Sequence, residues 1–170
     1  MKDFNTVLPE HWAANPFAAI GKQWMLITAG DAEKNNAMTA SWGGVGILWN
    51  RPVAFLFIRP QRYTYEFAEN GDTLTACFFS EEYRAALRYC GTHSGRDTDK
   101  AAECGLTRIT NDSGAIYYEE AQTVLVLKKL YADDLKACGF LNSSLLENYK
   151  DGDFHRVYIC EIQEVLEKNK

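Results

Sequence analysis

The longest uninterrupted apolar stretch in this chain covers only residues 53–58. A run of that length suits a β-strand and falls far short of the roughly 20 residues with which a helix spans a bilayer. Five further segments, at 22–29, 37–42, 73–79, 123–131 and 154–165, have strand length and are rich in Val, Ile, Thr and aromatic side chains. Gly30, Asp31 and the polar residues up to Asn36 read as the turn between the first two. Six strands at such intervals in 170 residues predict one mainly β domain, a barrel or a sandwich, spanning residues 1–170.

Short helices fill the gaps. Residues 63–70 read as two helical turns stopped by Gly71. Ser80 stands as the cap of a helix over 81–90, with Glu81 and Glu82 at the positive end of its dipole and Gly91 as its stop. Tyr83, Leu87 and Cys90 form the buried stripe of that helix. Asp97 or Thr98 opens a third helical segment, which runs to Cys104 and is stopped by Gly105.

Charge narrows the class of partner. The chain carries 18 basic and 23 acidic side chains, net −5, which argues against binding nucleic acid or an anionic membrane, because both need surplus Lys and Arg. The first residues, Met1-Lys2-Asp3-Phe4, contain no apolar signal region. Cys77, Cys90, Cys104, Cys138 and Cys160 are odd in number and lack a Cys-x-x-Cys pair, the pattern of free thiols in a reducing compartment. His11, His93 and His155 lie far apart, and no metal-ligand spacing arises. The expectation is a soluble cytoplasmic protein with no metal, no nucleic acid and no membrane partner.

Any anion site must therefore be local. In Arg59-Pro60-Gln61-Arg62-Tyr63-Thr64 a strand ends in two guanidinium groups and a hydroxyl where a helix starts, which are the ingredients of a phosphate cradle. From Cys90 to Lys100 small and hydroxyl-bearing residues again precede a helix, with Arg96 and Lys100 four apart. Each stretch also reads as solvated charges and helix caps, and both readings stand. From Asn36 to Gly46, Met38 and Trp42 alternate with small residues before Gly43, Gly44 and Gly46. Such a segment lets a flat ligand approach the backbone, and equally reads as a strand followed by a bulge.

Taken in order, Asn36-Ala37-Met38-Thr39-x-Ser41-Trp42-Gly43, Pro52-Val53, Arg59-Pro60-x-Arg62-Tyr63-Thr64-Tyr65, Cys90-Gly91-x-x-Ser94-Gly95-Arg96-Asp97-x-Asp99-Lys100 and Gly152-Asp153-x-His155 resemble the flavin reductase-like, flavoredoxin-type family, over about residues 15–165. The resemblance implies a split β-barrel with Greek-key connections and a few short helices, which binds FMN non-covalently at the interface of a homodimer. It implies that Thr39, Ala40, Ser41 and Trp42 line the isoalloxazine edge. Arg59, Arg62, Tyr63 and Thr64 would then take the phosphate and ribityl end, while Ser94, Gly95, Arg96, Asp97 and Lys100 close over the cofactor's polar tail. His155 is similar in position to a family histidine on the nicotinamide or substrate side of the flavin, and is the candidate catalytic residue. Cys160 departs from the family, in which Gly commonly stands there; a thiol packs as a small hydrophobe.

The activity implied is that of an oxidoreductase with NAD(P)H as transient reductant and free flavin or another small molecule as acceptor. The alternatives are a flavoredoxin-type electron carrier reduced by a partner protein, and a non-catalytic flavin-binding module. No Gly-x-Gly-x-x-Gly follows a strand, so nicotinamide would bind without a Rossmann domain. No Ser-His-Asp order or Walker loop suggests hydrolysis.

Overall fold

Val124, Leu125, Val126 and Leu127 are all buried. Neighbouring side chains on a strand point to opposite faces, so this strand must be covered on both sides. The computed structural model describes residues 3–169 and shows how. The reading of the amino terminus falls partly on Met1 and Lys2, which lie outside the described residues.

Ten strands are present among the described residues: β1 (Phe4–Val7), β2 (Met25–Gly30), β3 (Asn35–Ala40), β4 (Gly43–Leu48), β5 (Arg51–Ile58), β6 (Thr73–Phe78), β7 (Arg108–Thr110), β8 (Ile116–Tyr118), β9 (Thr123–Asp134) and β10 (Arg156–Lys168). Eight form one sheet in the order β3-β2-β6-β9-β10-β5-β4, with β1 on β10, and β7 pairs with β8. The sheet's ladders are antiparallel. The two end strands of that path, β3 and β4, are joined by only Ser41 and Trp42. Two residues cannot cross a flat sheet of seven strands about 4.8 Å apart, so the sheet curls until its ends meet.

Inside the curl, Ile27, Met38, Leu56, Leu74, Ala76, Leu125, Leu127, Tyr158 and Ile162 form the barrel core. Leu26, Ala37, Cys77, Val124 and Val126 face outward into a second core under the helices and the β7–β8 hairpin. Thr28 and Thr75 fasten that hairpin to the sheet, bonding Tyr118 Oη at 3.3 Å and the Ile116 carbonyl at 2.6 Å. The register of β9 and β10 slips between Ile159 and Cys160 and between Ile162 and Glu164. Gln163 is the extra residue of the second slip, so the inward side chains of β10 change from 158, 160 and 162 to Val165. Cys160 is fully buried in the barrel core, where burial pushes its thiol up to about 12.

Four α-helical stretches occur: α1 (Pro16–Ala18), α2 (Tyr63–Asn70), α3 (Arg84–Thr92) and α4 (Lys100–Glu103). The helix α2 has the predicted bounds. It closes one end of the barrel, with Ala68 in the core and Lys129 Nζ against its last carbonyls, a cation at the negative end of the dipole. Ser80 bonds the Glu82 carboxylate instead of a backbone amide, and a 3-10 turn over Glu81–Tyr83 comes before α3. Gly91 does not stop α3, which runs on to Thr92 and ends at an extended His93. The third segment starts at Lys100 under an Asp99 cap, not at Asp97 or Thr98, and has one turn.

The strand predicted over 37–42 ends at Ala40, and the glycine-rich stretch after it is the strand β4. At the tip of its hairpin with β5, Trp49 and Asn50 are both left-handed (φ 52° and 57°), the turn that matches the twist of paired strands. Gly43 stands where the seam is tightest: a Cβ there would lie 2.9 Å from the Phe55 carbonyl oxygen and 2.8 Å from Met25 Cε. Gly43→Ala is therefore expected to lower stability by about 1–3 kcal/mol, read as a lower urea midpoint with an unchanged m-value.

Candidate functional site

The strand β5 ends at Ile58, which pairs with Arg156 at the start of β10. The end of β5 and the entry to β10 thus lie side by side at one end of the barrel. There the β3–β4 link and the first turn of α2 meet them around a cavity of about 210 Å³. Its lining includes Thr39 and Ala40 from the end of β3, Ser41 and Trp42 from the link, Phe57 from β5, Arg59 just after it, Arg62 from the α2 entry and His155 from the β10 entry. Met38 completes it. Trp42 is half exposed, and its ring lies 5.3 Å from that of His155, which Phe57 meets edge-on at 6.3 Å. The cavity is therefore walled by flat side chains and backbone on one side and by guanidinium groups on the other.

The arginines differ in their partners. Arg59 is ion-paired with Asp153 and donates to the Asn148 carbonyl at 2.9 Å, so its charge is already matched. Arg62 has no carboxylate partner among the described residues and donates to the Cys90 carbonyl at 3.4 Å. Lys100, only 4% exposed, donates to the same carbonyl at 3.4 Å. Each cation has further N–H donors beyond that one long bond. Burial holds the Arg62 guanidinium below its ordinary value. Burial, with the nearby charge of Arg62 adding to it, pushes the Lys100 ammonium down to about 8. Arg62 is also the cap position of α2 and offers the helix no side-chain acceptor, so the first amides of α2 have no side-chain partner. Two under-bonded cations beside an uncapped helix start suit an anion.

The other expected residues stand around this centre. Thr64 is fully buried and accepts from Asn36 Nδ2 at 2.7 Å, which ties β3 to α2 from behind the cavity. Tyr63 meets Phe67 edge-on at 5.0 Å and carries the Arg96 guanidinium 4.6 Å over its ring. Arg96 is exposed and ion-paired with Glu66. Ser94 Oγ accepts from the Arg96 amide at 3.2 Å, and Asp97 is exposed. Gly95 approaches Asn36 so closely that a Cβ would meet its Oδ1 at 1.8 Å. Gly95, Thr98, Lys100 and Arg108 line a second cavity of about 320 Å³ along the β2–β3 turn. The structure thus brings Thr39–Trp42, Arg59, Arg62 and His155 to one cavity, with Lys100 sharing the Cys90 carbonyl, and leaves Arg96 and Asp97 at the surface.

Sequence reasoning missed Met38 and Phe57 as lining and Tyr149 as the partner of His155. Period two along β5 was the available signal for Phe57, since it shares a face with Arg59. Tyr149 lies in a 3-10 stretch (Ser143–Tyr149) with no periodicity to mark it. Its hydroxyl lies 2.8 Å from His155 Nδ1. Burial first, then the Arg59 charge, push the His155 imidazole down to about 4, against a smaller upward pull from Asp153.

Residues 17–170 match the family model described as flavin reductase like domain. Among solved structures the chain is similar to an FMN-binding protein from Thermus thermophilus with bound p-hydroxybenzaldehyde, at TM-score 0.68 and 20% identity over 95% of this chain and 77% of that one. It is similar to the flavoredoxin of Desulfovibrio vulgaris (Miyazaki F), at TM-score 0.66 and 23% identity over 91% of this chain and 73% of that one. A Shewanella frigidimarina NCIMB 400 protein with a split barrel domain matches at TM-score 0.67 and 19% identity, over 85% of this chain and 66% of that one. No curated protein matches significantly. At these identities the likeness is one of fold, a mainly β split barrel with a few short helices.

The buried ammonium has a measurable consequence. Between about pH 8 and 10.5 the unfolded chain still holds the Lys100 proton that the folded protein has released, so stability rises with pH in that window. Below it the buried charge is a standing cost. Lys100→Met should raise stability at pH 7 by about 1–3 kcal/mol and abolish the rise between pH 8 and 10.5, as read from urea midpoints across that range.

Proposed function

Because the chain belongs to the flavin reductase like domain family, we propose that it is an FMN-binding oxidoreductase that takes electrons from NAD(P)H and passes them to free flavin or another small acceptor. The observation that carries the reading is the pair Arg62, partly buried, and Lys100, buried, which have no carboxylate partner among the described residues and converge on the Cys90 carbonyl; Arg62 lines the cavity walled by Trp42 and Phe57. A phosphomonoester on a flat ring system has the matching chemistry, one dianion and one planar apolar body. When bound, FMN supplies the redox chemistry.

The chain's own residues then do the holding and the shaping. Arg62 and Lys100 take the phosphate, with the first amides of α2 beside them. Thr39 to Trp42 run along the ring edge, where backbone amides and carbonyls bond its polar atoms. Trp42 and Phe57 exclude water from one side. His155, neutral at physiological pH, stands where the acceptor or nicotinamide would lie. Tyr63, Thr64, Ser94, Gly95, Arg96 and Asp97 support this arrangement from the α2 start and the loop after α3.

The functional unit is a homodimer in this reading. The outward face of β4 and its neighbours carries Ile47 and Trp49 at 69% and 55% exposure, with Leu130 and Tyr131 beside them. An apolar patch of that kind on a sheet face suits a second copy of the chain.

Purified protein should be yellow or become so with FMN, and sediment at twice 19.2 kDa; a colourless monomer that FMN cannot reconstitute overturns the reading. Arg62→Ala should weaken FMN binding by about 1.5–3 kcal/mol in a fluorescence titration. In anaerobic stopped flow the bound flavin should bleach with NADH or NADPH. Flavin that stays oxidised with both, yet is reduced by a partner protein, marks an electron carrier instead.

A further inference from the structure

Among the described residues the one hydrogen bond of the His155 ring is made by a loop residue, Tyr149, and that loop is held by several contacts. Tyr149 stacks on Phe154 at 4.8 Å, packs against Phe140 at 5.6 Å and lies 5.2 Å beneath the Arg59 guanidinium. Arg59 in turn grips Asp153 and the Asn148 carbonyl, on either side of Tyr149 in the chain. The paired charge of Arg59 thus serves to fix the segment that carries Tyr149. A tyrosine hydroxyl has a single proton, and among the described residues its oxygen meets only His155 Nδ1, at 2.8 Å. If Nδ1 carried the ring proton and donated, the buried hydroxyl would have no acceptor for its own proton. Donation from Tyr149 to Nδ1 satisfies both groups and places the ring proton on Nε2. Nε2 is then the nitrogen left for a ligand in the cavity that His155 lines.

We propose that Tyr149 is a positioning residue whose hydroxyl holds His155 in the neutral tautomer protonated on Nε2, so that the cavity offers one fixed hydrogen-bond donor to a ring oxygen of a planar electron acceptor. The acceptor half rests on the flavin oxidoreductase reading; the tautomer half rests on the hydrogen bond alone. The ligand class follows from the walls: Trp42 and Phe57 suit a flat ring, and a neutral donor suits a carbonyl oxygen, as in quinones, enones and flavins. The charged groups facing the imidazole are Arg59, from the end of β5, and Asp153, from the entry to β10. Arg59 opposes protonation and Asp153 favours it, while burial decides the balance against charge, so the donor persists across the physiological range.

Nitrogen-15 NMR of histidine-labelled, ligand-free protein tests this, with the His155 signals assigned by their loss in His155→Asn. The wild type should show the Nε2–H tautomer at pH 7 and no titration of His155 above about pH 5. Tyr149→Phe keeps the ring contacts and removes the hydroxyl; it should give mixed tautomers and a higher titration midpoint. In FMN-loaded protein the same variant should raise the KM for a quinone acceptor about two- to tenfold with kcat less affected. A wild-type imidazole that is charged or protonated on Nδ1 at pH 7 overturns the proposal, as does a Tyr149→Phe spectrum and midpoint identical to wild type. If both NMR results hold and FMN does not bind, the tautomer stands while the acceptor role and the flavin reading fall together.

Discussion

Closure of the sheet governs this structure. The two strands at opposite ends of the hydrogen-bonded path are consecutive in the chain and separated by two residues, and everything else adapts to that short tether. The strands along the closed path turn side chains inward, which gathers large aliphatic side chains in one core. The outer face of β2, β6 and β9 is left apolar and must be roofed, which the β7–β8 hairpin and α3 with α4 accomplish. The tether itself is Ser41 and Trp42, so the link that closes the sheet is also a wall of the cavity.

Charge in the molecule is arranged locally rather than by its sum. A net charge of −5 coexists with Arg62 and Lys100, which meet at a single carbonyl and have no carboxylate partner among the described residues. Such a pair is costly in the absence of a ligand, because burial disfavours both charges and each raises the cost of the other. Arg59, close by in the chain, has its charge matched and acts on the loop after β9. Two arginines three residues apart thus have opposite electrostatic situations, decided by whether an acidic residue from a distant segment reaches them.

Much of the fold was legible in the chain. The helix over 63–70 was read with the observed bounds because a polar start, an amphipathic middle and Gly71 all agree. The strands around 53–58, 73–79 and 123–131 were visible because strands covered on both faces are nearly continuous in apolar residues. The strand β4 was not, since Gly43, Gly44 and Gly46 have low β-propensity, and the approach of Met25 and Phe55 that requires a glycine exists only at Gly43. Gly91 misled because it lies inside α3, one residue before the helix ends, in ordinary contact with Thr39. Of the site, the segments 39–42 and 59–62 were recognisable in order, whereas Phe57 and Tyr149 were not.

By itself the sequence determined the class: strand-length apolar runs and short helices between them leave a small, mainly β domain, and its ordered motifs pointed to one family. Only the tertiary structure decided which charges are matched and which are not, since Asp153 reaches Arg59 across 94 residues while no carboxylate among the described residues reaches Arg62. It also decided that Tyr149 meets His155 and that Cys160 faces the core. Local patterns encode propensity and periodicity, which act over a few residues. Pairing of charges and hydrogen bonds depends on which distant segments the closed sheet brings to the same end, and that is a property of the whole fold.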